Sequence, residues 1–263
     1  MRRTLIGLIL VLAFFVGLGA LGWYFVKDAI RHKPEYRLNA DNIVVPPPPD
    51  WVPDQFVEDV LQSSDLHRTG SLLDKTLPQK LTEAFAAYPW VERVGQVVPR
   101  YPSGADVQLA YRVPTALVEV PQRGKFLVDR NGILLPSAHL SDTTADQKNW
   151  FLTIQGIQSM PLGSVGTPWG NPMVQTAAQL VAVLADIAEP LKLARIIPTM
   201  ETTPSGTRIV CRLQTVGGTE IHWGAFLPDD PKTEAKKKKL WDLHEQFRAL
   251  DNVPAAFRDL SRE

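Results

Sequence analysis

Between Pro89 and Val120 the chain reads Pro-Trp-Val-Glu-Arg-Val-Gly-Gln-Val-Val-Pro-Arg-Tyr-Pro-Ser-Gly-Ala-Asp-Val-Gln-Leu-Ala-Tyr-Arg-Val-Pro-Thr-Ala-Leu-Val-Glu-Val, and this stretch narrows the available folds more than any other. Apolar residues at helical spacing (Leu77, Leu81, Ala84, Phe85, Tyr88) run into it and stop at Pro89. Proline disfavours a helical residue before it and has no N–H to donate. Val91, Val94, Val97 and Val98 then make a β-branched run, and Pro102-Ser103-Gly104 supplies turn chemistry. After the turn, Ala105, Val107, Leu109, Tyr111 and Val113 alternate with Asp106, Gln108 and Arg112, so one face is apolar and the other wet. Pro114 interrupts, and Ala116, Val118 and Val120 resume the alternation. The spacing predicts a helix, a hairpin and a further strand.

Upstream, Tyr36 to Val45 has the mixed alternation of a strand, and Pro46 to Pro49 is a stiff spacer. Pro53 opens a helix with Phe56, Val57, Val60 and Leu61 on one side. Ser63 to Gly70 reads as loop, and Thr76-Leu77-Pro78-Gln79 as a capping box in which Thr76 and Gln79 satisfy each other's backbone. The order is strand, helix, helix, strand, strand. Downstream, Phe126 and Val128 lead into Asn131-Gly132, a short hairpin signal that asks for positive φ at both central residues. Ile133-Leu134-Leu135 return, Ala138 to Lys148 is a polar loop, Trp150 to Ile154 is a strand and Met160 to Gly170 a loop. Asn171 caps a helix with Pro172 at its first position and Met173, Ala177, Leu180, Val181, Leu184 and Ile187 as its buried stripe. Arg208–Thr215 and Thr219–Phe226 form a hairpin around Gly217-Gly218, and Asp230-Pro231 starts a last helix with Leu240, Leu243, Phe247 and Leu250 on one face.

Pro89-Trp90-Val91, Arg100-Tyr101-Pro102 and Arg112-Val113-Pro114-Thr115-Ala116, in that order and behind two helices, resemble the POTRA domain of the FtsQ/DivIB cell-division family. The second half resembles that family's β domain in its order of elements, with Val128-Asp129 before Asn131-Gly132 and the strand Ile221-His222-Trp223-Gly224 as local echoes. The resemblance implies an α+β protein: an N-terminal transmembrane helix, a βααββ POTRA-type domain over residues 36–116, and a β-rich domain with one internal and one C-terminal helix over residues 117–250, then a tail over 251–263. It also implies a non-catalytic scaffold of the bacterial division septum that binds small bitopic FtsL-like and FtsB-like subunits. A POTRA-type module of envelope assembly or secretion is the alternative.

From Leu5 to Val26 there is no charged residue, which matches the roughly 20 residues a helix needs to cross the hydrocarbon core. The sequence therefore predicts a membrane span over residues 5–26, behind a tail of residues 1–4 and ahead of a basic linker of residues 27–35. Trp23 and Tyr24 at its end suit an interface, and a cleaved signal peptide ending near Gly17 or Gly19 is the competing reading. Long domains translocate largely regardless of flanking charge, and the family resemblance implies a cytoplasmic N-terminus, periplasmic domains and an inner-membrane address at the septum.

Lys plus Arg equals Asp plus Glu at 28 each, so neither nucleic acid nor an acidic substrate is implied. The lone Cys211, between Ile209 and Leu213, reads as a small buried hydrophobe. The histidines His32, His67, His139, His222 and His244 show no metal spacing, and Glu220 with His222 is at most half a site. No nucleophile elbow or phosphate loop appears. The expectation is no enzyme, no cofactor, no metal and no small-molecule substrate. Lys236 to Lys239 spread around a helix and read as a solvated face, with a contact to anionic lipid or envelope polymer as the sharper alternative. The candidate contact is strand addition at Glu220–Phe226, with Ile221, Trp223, Phe226, Leu240 and Trp241 as anchors.

Overall fold

The computed structural model describes residues 14–19, 22–23, 36–137, 151–204, 206–228 and 230–246. It divides into two compact units, Met1–Ala110 and Tyr111–Glu263. The membrane span expected over Leu5–Val26 has to be corrected: among the described residues no helix is long and apolar enough to cross a membrane. What is described of that run is helical at residues 14–19 and 22–23. The rest of the run, the linker over residues 27–35, the polar loop Ala138–Lys148 and the tail over 251–263 lie outside the described residues.

In the first unit, β1 (Ile43–Val44), α1 (Phe56–Ser63), α2 (Leu66–Thr69), α3 (Leu77–Ala86), β2 (Val91–Arg100) and β3 (Gly104–Tyr111) follow the expected order with one helical turn added. The sheet runs β1-β3-β2, with Ile43 opposite Ala105 in a parallel pair. Phe56, Val60, Leu61, Leu77, Leu81, Phe85, Trp90 and Val91 are buried between helices and sheet, each contributing about 1.5–3 kcal/mol. Trp90 and Val91 are thus core residues. The strand expected from Tyr36 shrinks to two residues because the Asn39 side chain accepts from the Asp41 N–H (3.3 Å) and caps a short 3₁₀ turn at Ala40–Asn42. The loop expected over Ser63–Gly70 holds α2, pinned by buried Leu66.

The capping box at Thr76 and Gln79 does not form. Asp74 caps α3 instead: one carboxylate oxygen accepts from the Thr76 N–H (2.9 Å) and hydroxyl (2.8 Å), the other from Lys80 Nζ (2.9 Å). Gln79 turns to Glu83. The Lys80 hydrogen bond, then the Thr76 N–H and hydroxyl, hold the Asp74 carboxyl down to about 2 from its usual 3.8. A lowered folded pKa gives stability that is present above the unfolded value and lost as pH falls through the folded one. Melting curves should therefore show wild type losing its advantage over Asp74→Asn between about pH 4 and about pH 2. Asp74→Ala is expected to cost about 1 kcal/mol at neutral pH.

The second unit contains β4 (Pro114–Val120), β5 (Gly124–Asp129), β6 (Leu152–Ile154), α4 (Pro172–Ala188), β7 (Leu193–Thr203), β8 (Gly206–Thr215), β9 (Glu220–Ala225) and α5 (Pro231–Gln246). Its sheet runs β5-β4-β6-β7-β8-β9. The centre is parallel (β4 with β6, β6 with β7) and both flanks are antiparallel. Asn171 caps α4 as its sequence predicts, its side chain accepting from the Met173 N–H (2.9 Å). Val174, Ala177, Leu180, Val181, Leu184 and Ile187 of α4 and Leu240 of α5 pack on inward residues of all six strands. Lys237 of α5 pairs with Asp186 of α4 (2.8 Å), which holds that carboxyl below its usual range. At Asn131-Gly132 only the glycine takes positive φ (71°). The reversal is built by Asp129, whose Oδ1 accepts from the N–H groups of Asn131 (2.8 Å) and Ile133 (2.9 Å).

Candidate partner-binding edge

The two ends of the six-stranded sheet are finished differently. Beyond β5 the chain returns along it: Asp129 N–H donates to Ile133 O (3.1 Å), Leu135 N–H to Leu127 O (2.8 Å), and Leu134 N–H to Thr167 O (2.9 Å). The second half of that edge strand, Leu127–Asp129, is therefore bonded on its outer side. At the far end β9 pairs with β8 alone among the described strands. Thr215 N–H donates to Thr219 O (3.0 Å), so by the alternation of an antiparallel ladder Leu213–Ile221 is a hydrogen-bonded pair. Arg212–His222 and Gln214–Glu220 are then the other kind, and the N–H and C=O groups of His222 and Glu220 point away from β8. Outward groups of this sort are a template for an added strand.

Side chains on β9 divide just as sharply. Glu220, His222 and Ala225 are exposed, while Ile221, Trp223 and Phe226 lie in the core with Leu240. The anchors expected there from sequence are thus brought together, but as packing beneath the edge. Trp241 is partly buried against this core, its ring 5.8 Å from that of His244. A two-period pattern shows which residues share a face. It does not show that α5 covers that face.

The pairing skips Trp223: Cys211 lies opposite Gly224 and Arg212 opposite His222, a bulge in which Gly224 takes φ 81°. Trp223 O accepts from the buried Lys236 Nζ of α5 (3.0 Å), which also lies 5.9 Å from the centre of the indole ring. The first lysine of the charge run is therefore a structural donor, a role its neighbours in sequence gave no sign of. Arg208, Arg212, His222, Lys232 and Lys236 are among the residues that line a groove of about 510 Å³, which also takes in Thr199 and Glu201 of β7. Arg208 pairs with Glu201 (3.0 Å), and Arg212 is 3.9 Å from Glu220. Cys211 forms part of the floor, and burial pushes its thiol up to about 12, which keeps it protonated and unreactive at neutral pH. Among the described residues no three His, Cys, Asp or Glu side chains stand together as a metal site would require. The arrangement is suited to binding a strand through backbone groups, with charged side chains alongside to set its register. No family model matches the chain, and no curated protein matches it either.

Proposed function

We propose that this chain is a non-catalytic scaffold of the bacterial division septum, and that it holds small bitopic partners of the FtsL and FtsB type by adding a strand of theirs to β9. The observation that carries the reading is that β9 has no strand partner but β8 among the described residues, with the backbone groups of Glu220 and His222 pointing outward, while the opposite edge strand is bonded at Leu127 and Asp129 by the chain's own return. The resemblance of Pro89-Trp90-Val91 and Arg112-Val113-Pro114-Thr115-Ala116 to the FtsQ/DivIB pattern supplies the cellular setting.

The test uses a proline at the edge. His222→Pro removes one outward N–H and leaves the β8 ladder intact, since that N–H takes no part in it. In the organism that carries the protein, a fluorescent fusion of the wild type is expected to form a band at the constriction and to co-purify with small coiled-coil subunits. His222→Pro should melt within a few degrees of wild type and lose that capture, while His222→Ala keeps it. A folded His222→Pro variant that captures the same subunits sinks strand addition. A wild-type signal spread evenly over the envelope of dividing cells would move the role to envelope assembly.

A further inference from the structure

In the first unit α1, α2 and α3 leave a groove of about 750 Å³ between them. Its apolar floor is Leu66, Ala84, Ala87 and the ring of Tyr88, and its charged rim carries Asp59 and Glu83. The hydroxyls along it have already spent their protons: Ser63 Oγ and Ser64 Oγ donate to Val60 O (3.1 and 2.6 Å) and Thr69 Oγ1 donates to Asp65 O (2.9 Å). Each hydroxyl has one proton, so what it can still offer an incoming group is lone pairs. The cation among the lining residues, Lys80, is engaged by Asp74 (2.9 Å). Tyr88 OH is directed at Asp59 (3.4 Å), and burial, then the Asp59 charge, push the phenol up to about 12, so it stays neutral. The groove therefore combines an apolar floor with walls that accept and carry negative charge.

From this complementarity we infer that the groove of the first unit is a docking site for a basic segment of a partner protein, with an arginine or lysine head on Asp59 and Glu83 and its stem over Ala84, Ala87 and the Tyr88 ring. Long cationic side chains fit such a place because their methylenes cover apolar surface while the head stays with its acceptors. Tyr88 adds a ring face that attracts a guanidinium. This site is independent of β9 and takes a different chemistry: charge and stem, where β9 offers backbone ladder groups.

The experiment titrates the full chain with a fluorescently labelled peptide of alternating arginine and alanine, and with its glutamate–alanine counterpart, reading anisotropy. The arginine peptide should bind and the glutamate peptide should not. Asp59→Asn with Glu83→Gln should weaken binding about tenfold, the loss of two partly exposed charge pairs. Glu201→Gln with Glu220→Gln removes the same charge from the second unit and should change it less than about twofold. Ala87→Trp fills the groove without altering charge and should weaken binding as strongly as the double carboxylate variant, and His222→Pro should leave it unchanged. The inference is overturned if the arginine peptide does not bind, if the two charge-matched doubles weaken it equally, or if Ala87→Trp has no effect.

Discussion

Asp129→Ala should destabilise the second unit by about 3–5 kcal/mol, the range for removing one member of a buried ion pair. The carboxylate is 2% exposed, and its Oδ2 accepts from Arg112 Nη1 at 2.8 Å across a guanidinium that is itself 15% exposed. Its other oxygen holds the N–H groups of Asn131 and Ile133, so a single side chain sets the turn and satisfies a charge. In the variant Arg112 loses its pairing with Asp129 and two backbone donors lose their acceptor, and both penalties have the same sign. Asp129→Asn keeps an acceptor for the turn and loses only the charge, so it should fall between wild type and alanine. Denaturant unfolding followed through the near-ultraviolet signal, in a background where Trp90 of the first unit is replaced by Phe, leaves Trp169 and Trp223 as the fully buried indoles that report on the second unit. A drop of less than about 1 kcal/mol for Asp129→Ala would mean that the pair is worth no more than a surface one.

Trp223→Ala is expected to cost about 3–5 kcal/mol, as large buried aromatics do when truncated. The indole is fully buried and lies beside the ammonium of Lys236, so truncation opens a cavity next to a desolvated cation. The same substitution will also lower partner capture, and the comparison with His222→Pro says why. Trp223→Ala should lose capture in step with unfolding and regain it at temperatures where the variant is folded. His222→Pro should lose capture while folded at every temperature. A Trp223→Ala protein that melts like wild type and fails to bind would return the indole to the contact surface.

Much of the architecture is legible in the residues because it rests on local chemistry. Pro89 ends α3 wherever the rest of the chain goes, and Asn171-Pro172 starts α4 by a hydrogen bond two residues long. The hairpin around Gly217-Gly218 is equally local. Long β7 is not legible, although it is central to the second sheet. A register shift between Leu193 and Arg195 puts both Leu193 and Ile196 inside, three residues apart, which breaks the two-residue period a strand is recognised by. The capping of α3 by Asp74 is hidden for a similar reason: Thr76 and Gln79 match the pattern of a box, but a carboxylate two residues upstream is the stronger acceptor and takes both Thr76 donors. At the candidate site the segment Glu220–Phe226 can be picked out from sequence, whereas the sense of its two faces cannot. That depends on α5 lying over Ile221 and Trp223, and on the return along β5 that leaves β9 as the end strand among the described residues.

Parallel pairing at the centre of the second sheet sets the order in which a growing chain can assemble it. Ala116 pairs with Leu152, and Thr153 with Arg195, so neither contact exists until a long intervening segment has been made. Synthesis runs toward β9, which is the last of the described strands of this sheet to emerge. Until then β8, with Cys211 in its middle, is the terminal strand. The β9 edge is thus completed only after the strands beneath it have been translated, and a chain cut short before Thr219 would end its sheet on β8.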